Sequence, residues 1–379
     1  MGARLLFFVS EDWYFCSHRL PVALAARAAG YEVGVVTRVR EHGAVIRGHD
    51  LRLFPLELER GGLNPLRDLG ALAALVRVCR EFRPDILHAV AVKPVAYGAI
   101  AAALAGVPHT VNALGGLGYV FTSERLLARL LRPLALLAYR LALRRKSAWL
   151  ILQNEDDLDA LEARGIASRE RTTLIRGSGV DLTRYRSVPE PDGVPLVVMP
   201  ARLLWDKGVA EYVAAAETLK RDGVAARFAI AGDVDPENPA SIPREWIEAK
   251  ANDGAVEWWG WQDRMSEVLA RANIVCLPSY REGLPKALIE AAACGRAIVT
   301  TDVPGCREVV ADGENGFLVP ARDAAALAHA LGRLIGDRDM RSRFGAAGRT
   351  RAEREFSVER SVEATLALYR ELLEDQARL

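Results

Sequence analysis

Sulfur is scarce in this chain. Five cysteines (Cys16, Cys79, Cys276, Cys294 and Cys306) are spread through 379 residues. Their odd number, with no CxxC pair and no Cys/His cluster, excludes a disulfide framework and a structural zinc site. A reducing cytoplasm is the compartment that fits. Long apolar runs are missing too: none reaches the roughly 18 uninterrupted residues that a membrane-spanning helix needs. The N-terminal run Arg4-Leu5-Leu6-Phe7-Phe8-Val9-Ser10 is too short and wrongly flanked for a signal peptide, and it reads as a buried first strand. Low-complexity tails and short internal repeats are absent. After the first strand stands Ser10-Glu11-Asp12-Trp13-Tyr14-Phe15 in place of a GxGxxG, which argues against a nicotinamide dehydrogenase.

The net charge of +1 hides an asymmetry. Residues 1–190 carry 26 Lys and Arg against 19 Asp and Glu, and residues 191–379 carry 24 against 30. A basic first half suggests an anionic partner or surface on that side. Arg125, Arg129, Arg132, Arg140, Arg144, Arg145 and Lys146 lie in one segment without an acidic residue, interleaved with leucines. Pro133 is expected to kink or restart a helix there. Two readings stand: a basic helix lying on anionic lipid at the inner membrane face, or a core-packed helix with a solvated basic edge. No nucleic-acid partner is expected.

Strand-like and helix-like runs alternate. Apolar runs at 5–9, 33–37, 86–88, 109–111 and 150–153 predict strands, with helices between them such as 20–29 and 66–83. The Pro- and Gly-rich stretch Ser187-Val188-Pro189-Glu190-Pro191-Asp192-Gly193-Val194-Pro195 reads as a linker. A second series follows at 196–199, 228–231, 256–258, 274–277 and 297–300. This predicts two α/β domains with parallel sheets, over 1–188 and 194–358, with the last helix, from 361, open to either. Ligands of such sheets sit beyond the carboxyl ends of the strands, and the cleft between two such domains is the default site.

The richest chemistry follows the run at 274–277. There Arg281-Glu282-Gly283-Leu284-Pro285-Lys286-Ala287-Leu288-Ile289-Glu290 leads into an alanine-rich helix. Pro285 suits a first helical position, and a helix start seats phosphate. Glu282 stands in the turn. Glu290, one and a half turns into the helix, can accept hydrogen bonds from paired hydroxyls such as those of a ribose, or pair with Lys286 one turn earlier. Arg202 and Lys207, in Pro200-Ala201-Arg202-Leu203-Leu204-Trp205-Asp206-Lys207-Gly208, follow the strand at 196–199 and can neutralise a diphosphate. Gly305 can let backbone approach a ligand in the same pocket. In the first domain, Asn112-Ala113-Leu114-Gly115-Gly116-Leu117-Gly118 reads as a glycine-rich cleft wall, and His88, at a strand end, is a candidate beside it.

On these residues the chain resembles the family 4 glycosyltransferases over nearly its whole length. The marks are the Glu282-to-Glu290 pair within its motif, the Arg202-to-Gly208 turn, and Asp312-Gly313-Glu314-Asn315-Gly316-Phe317-Leu318-Val319. Within that family it is most similar to bacterial transferases that extend glycans on undecaprenyl diphosphate. The resemblance implies a GT-B fold: two Rossmann-like domains facing across a cleft. It implies a retaining transfer of a hexose or N-acetylhexosamine, with N-acetylgalactosamine the first choice, from a UDP-sugar to a lipid-diphosphate-linked sugar. No metal or other cofactor is expected. By matching positions, Arg202 and Lys207 hold the diphosphate, Glu282 the donor sugar and Glu290 the ribose. Backbone at Gly283, Leu284 and Lys286 completes the phosphate seat. Many relatives carry a histidine where this chain has Asn112, which with Gly115 is assigned to the ligand. The implied location is cytoplasmic, peripheral at the inner membrane. The rival readings are an epimerase or phosphorylase of the same architecture, and a non-catalytic sugar-nucleotide-binding subunit.

Overall fold

The computed structural model describes residues 2–58, 65–116 and 126–377. They form two compact units: residues 2–178 with the last helix from 359, and residues 179–358. The first unit holds one parallel sheet of β1 (Arg4–Glu11), β2 (Glu32–Arg38), β3 (Arg52–Pro55), β4 (Ile86–Val90), β5 (His109–Ala113), β6 (Ala148–Leu152) and β7 (Thr172–Leu174). Their order is β3-β2-β1-β4-β5-β6-β7. The second unit holds β8 (Leu196–Pro200), β9 (Arg227–Ala231), β10 (Glu257–Trp258), β11 (Ile274–Leu277), β12 (Ala297–Thr301) and β13 (Gly316–Val319), ordered β10-β9-β8-β11-β12-β13. Both are doubly wound α/β sheets, the class the alternating pattern predicts.

The central strands are apolar on both faces because helices cover both. In β8, Leu196, Val197, Val198 and Met199 are all buried, as are the four residues of β11. In each sheet the order reverses at one point, between β1 and β4 and between β8 and β11. Loops leaving such a pair diverge to opposite faces and open a crevice at the carboxyl ends.

Two sequence expectations need correcting. The stretch at 187–195 does not divide the units. Val180 N–H donates to the Phe356 carbonyl at 2.8 Å and Val358 N–H to the Val180 carbonyl at 3.0 Å, so residues from 179 onward already belong with the second unit. The last helix, Val358–Ala377, which the sequence leaves open to either domain, packs in the first unit: Leu368, Tyr369 and Leu372 are buried in one cluster with Phe7, Val35 and Ile86. His88 sits in that same core, fully buried and stacked on Phe7 at 5.1 Å, with Nδ1 2.5 Å from the Tyr369 hydroxyl. Burial and the nearby Arg19 charge hold its pKa well below the usual histidine value. It fastens the last helix and is not exposed to a ligand.

Candidate functional site

The loops after β8 and β11 leave the switch point of the second sheet side by side. After β8 the chain makes a short turn, Trp205–Lys207, and Gly208 begins the helix Val209–Arg221. Gly208 has φ +74°, and a Cβ there would lie 2.1 Å from the Pro278 carbonyl oxygen. Only glycine lets the turn press against the loop after β11. The contact is completed by Tyr280 N–H, which donates to the Asp206 carbonyl at 2.9 Å.

That approach brings two of the expected residues together. Lys207 Nζ lies 2.5 Å from Glu282 Oε1, and Ser279 Oγ donates to the same oxygen at 2.7 Å. Both charged side chains are mostly buried, at 20% and 12% exposure. Arg202, more open, reaches Asp235 Oδ2 with Nη1 at 2.5 Å. The helix Lys286–Ala293 starts one residue later than the sequence suggested: Pro285 is its cap, and its carbonyl receives the N–H groups of Leu288 and Ile289. Gly283 and Leu284 are buried in the turn before it.

Glu290 is buried on that helix. Its carboxylate lies 3.7 Å from Lys286 Nζ, the helical-turn pairing weighed from spacing. Desolvation by burial raises its pKa, with Lys286 and Tyr185 opposing. A carboxyl whose folded pKa is raised favours the folded state while protonated, and that advantage is lost as pH rises through the folded value. Glu290→Gln is therefore expected to gain stability relative to the native chain as pH climbs from about 4 to 8. Urea denaturation at both pH values checks this; a stability difference independent of pH would contradict it.

Gly305 does not make room for a ligand. Its Cβ would lie 2.4 Å from the Gly283 carbonyl oxygen and 2.7 Å from that of Glu282, at φ +78°. The loop after β12 thereby supports the Glu282–Gly283 turn from behind. Thr300 Oγ1 donates to the Leu277 carbonyl at 2.6 Å, and Thr301 Oγ1 donates to the Ser279 carbonyl.

Several contributors were missed from sequence. Asp206 and Ser279 flank named motif residues but carry no spacing signal. Asp206 is largely buried beside Lys207, Glu282 and Arg202, and burial raises its pKa. Asp233-Val234-Asp235 carries an Asp-x-Asp spacing. Its carboxylates are engaged by Arg244, at 2.9 Å from Asp233, and by Arg202.

Asn112 and Gly115 lie in the first unit. Asn112 is inside β5, not in the loop after it. Its side chain is fully buried and Nδ2 donates to the Trp149 carbonyl at 3.2 Å. The strand runs two residues past the expected end, which turns a loop amide into a core amide. Gly115 does sit at the strand's carboxyl end, beside the Tyr14 hydroxyl and Gln153 Nε2. The remainder of the glycine-rich stretch, from residue 117, lies outside the described residues. Next to this sheet's own switch point Ala91 holds φ 82° and ψ 167°, a conformation that costs about 1–3 kcal/mol for any residue but glycine. Such strain concentrates at functional loops.

Residues 183–351 match the family model "Glycosyl transferases group 1", and residues 4–154 match "Glycosyl transferase 4-like". A curated relative from Campylobacter jejuni, N,N'-diacetylbacillosaminyl-diphospho-undecaprenol alpha-1,3-N-acetylgalactosaminyltransferase, is 28% identical over 336 residues, covering 85% of this chain and 87% of the relative. Among solved structures, sucrose-phosphate synthase from Thermosynechococcus elongatus superposes with TM-score 0.82 at 22% identity, covering 98% of this chain and all of that one. HepE of Anabaena, solved in complex with UDP and glucose, superposes with TM-score 0.79 at 19% identity, covering 97% of this chain and 99% of that one.

Proposed function

The chain belongs to the glycosyltransferase family that those two models describe, with the GT-B fold, and within it we propose a retaining transferase. It moves a hexose or N-acetylhexosamine, N-acetylgalactosamine first, from a UDP-sugar to an undecaprenyl-diphosphate-linked sugar. The observation that carries this reading is the convergence of Lys207, Glu282 and Arg202 with a helix start at the β8/β11 switch point.

The diphosphate sits against the start of the helix Lys286–Ala293, with backbone N–H groups near Leu284 and Lys286 donating to it. An ammonium has three donors, so Lys207 can keep Glu282 and still grip a phosphate oxygen. Arg202, tethered through Nη1, has the rest of its fork to offer. These charges stabilise the diphosphate as it departs, which allows positive character at the anomeric carbon. A leaving phosphate oxygen takes the acceptor's proton, so no protein nucleophile is needed. Glu282, with Oε1 held by Lys207 and Ser279, offers Oε2 to the donor sugar's hydroxyls. No metal enters this scheme. The first unit binds the acceptor.

A panel of UDP-sugars, offered with and without a short undecaprenyl-diphosphate sugar analogue and read by mass, tests the proposal. Product that needs both substrates is expected. Conversion of the donor sugar without acceptor would mark an epimerase, and no turnover with any pair would mark a binding subunit.

The acceptor's lipid calls for a membrane surface, and the segment from Arg125 to Lys146 supports one on the first unit. Arg125 and the side chains of Arg129 and Arg132 lie outside the described residues. The helix Leu126–Leu143 runs through Pro133 without a break. It packs against the helix Val92–Ala105, and the two leave Ile100, Leu104, Leu137 and Leu141 exposed, with Arg144 and Lys146 exposed just beyond. Among the described residues no helix is long and apolar enough to cross a membrane. Binding to anionic vesicles should weaken as salt rises, and Leu137→Asp with Leu141→Asp should weaken it about tenfold or more. Equal binding to neutral vesicles would overturn the electrostatic part.

A further inference from the structure

Two polar side chains converge on a bare glycine at the carboxyl end of the first unit's sheet. Tyr14 stands on the helix Asp12–His18, directly after β1; Gly115 lies two residues beyond β5; Gln153 follows β6. A Cβ built on Gly115 would lie 3.4 Å from the Tyr14 hydroxyl and 3.7 Å from Gln153 Nε2. Gly115 itself is exposed. Gln153 is only 9% exposed, yet among the described residues neither its amide nor the Tyr14 hydroxyl has a hydrogen-bond partner. A buried amide is costly to leave unpaired, so it points to a partner from outside the chain. The backbone does not demand glycine here: φ at 115 is outside the left-handed region. Among the described residues the missing Cβ would meet only those two side-chain ends. What a side chain at 115 would remove is the space between a hydroxyl and an amide.

The three residues are held by rigid neighbours. The Tyr14 ring stacks on His18, one helical turn along, with centroids 4.1 Å apart and planes 4° from parallel. It meets the Trp13 ring edge-on at 5.7 Å. His18 Nδ1 is hydrogen-bonded in turn to Ser17 Oγ. The fully buried Asp12 fastens the start of that helix. Its Oδ1 accepts from Trp13 N–H at 2.8 Å, and its Oδ2 from the N–H groups of Arg40 at 2.7 Å and His42 at 2.8 Å. Leu114 N–H donates to the Ile151 carbonyl at 3.0 Å, so the sheet ladder reaches the residue before Gly115. Gln153 is fixed between Leu152, whose carbonyl accepts from Ile175 N–H at 2.9 Å, and Asn154, which caps the helix Glu155–Glu162.

We propose that Tyr14, Gly115 and Gln153 form the subsite for the acceptor's sugar. This rests on the reading that the first unit binds a lipid-diphosphate-linked sugar. The phenol and the amide are uncharged, and each both donates and accepts. That suits sugar hydroxyl and acetamido groups, whereas phosphates call for cations. The glycine lets the sugar come close to both groups, and groups fixed beforehand lose little freedom on binding.

The test is calorimetric titration of the full chain with farnesyl diphosphate, bare or carrying glucose, galactose, N-acetylglucosamine or N-acetylgalactosamine. The native chain should bind at least one sugar-bearing form about tenfold or more tightly than the bare diphosphate. Gly115→Ala, which fills the space without straining the backbone, should remove most of that preference. Gln153→Met, which keeps the length of the side chain and drops the amide, should do the same. Tyr14→Phe should lower the preference about threefold. All three variants should keep the native affinity for the bare lipid diphosphate and for UDP, and should melt like the native chain. A sugar preference that survives all three substitutions overturns the subsite and leaves the transferase reading intact. So does an equal loss for bare and sugar-bearing lipid, which a merely structural role would give. A native chain without any sugar preference also removes the subsite, while turnover with the UDP-sugar panel would still uphold the transfer. If no lipid diphosphate binds at all, the acceptor reading falls and this inference with it.

Discussion

Lys207→Ala is expected to lower kcat by about a thousandfold, with a smaller change in the donor KM. Lys207 is assigned the charge that builds on the departing diphosphate, so its loss should be felt most in the transition state. The substitution also strips Glu282 of its 2.5 Å partner, leaving Ser279 to hold that carboxylate. A thermal melt that shifts by only a few degrees (about 1 kcal/mol for a chain of this size) would separate lost chemistry from lost folding. Turnover at the native rate would remove Lys207 from the diphosphate site.

Gly305→Ala should be strongly damaging despite its small size. Its methyl group would meet two carbonyl oxygens of the backbone, and neither can rotate aside. The chain must then either distort at φ +78° or push the Glu282–Gly283 turn forward. We expect a loss of about 2–4 kcal/mol in stability. In the protein that still folds, activity should drop at least about a hundredfold, as a displacement near 1 Å at a catalytic group costs. Gly313→Ala is the control: φ is +74°, yet nothing lies within 4 Å of the new Cβ. It should cost only about 1 kcal/mol and leave turnover intact. Denaturation midpoints and initial rates of the two variants, side by side, decide whether crowding against the turn is what matters.

What the sequence reveals of this fold follows from where its signals are local. Strands such as β1, β8 and β11 are short apolar runs bounded by polar turns, and their existence and type are plain. The edge strands β3, β7 and β13 escape notice because they are three or four residues long, and β3 and β7 are only partly buried. The stretch from Glu282 to Glu290 is legible because turn, helix start and both acids are contiguous. That Lys207 and Glu282 meet is not, since it depends on Gly208 pressing against Pro278 across 70 residues. Asp235 is hidden for the same reason: it meets Arg202 only because the sheet brings distant loops to one end. Asn112 misleads for a different reason. A polar residue after an apolar run reads as the loop, yet β5 continues through it and buries the amide.

The most direct measurement is equilibrium binding of uridine, UMP and UDP to the native chain. A diphosphate seat built from Arg202, Lys207 and the helix start should bind UDP about a hundredfold more tightly than UMP, with uridine weaker still. Equal affinity for UMP and UDP would mean that these charges do not grip the diphosphate, and would contradict the assignment of the site.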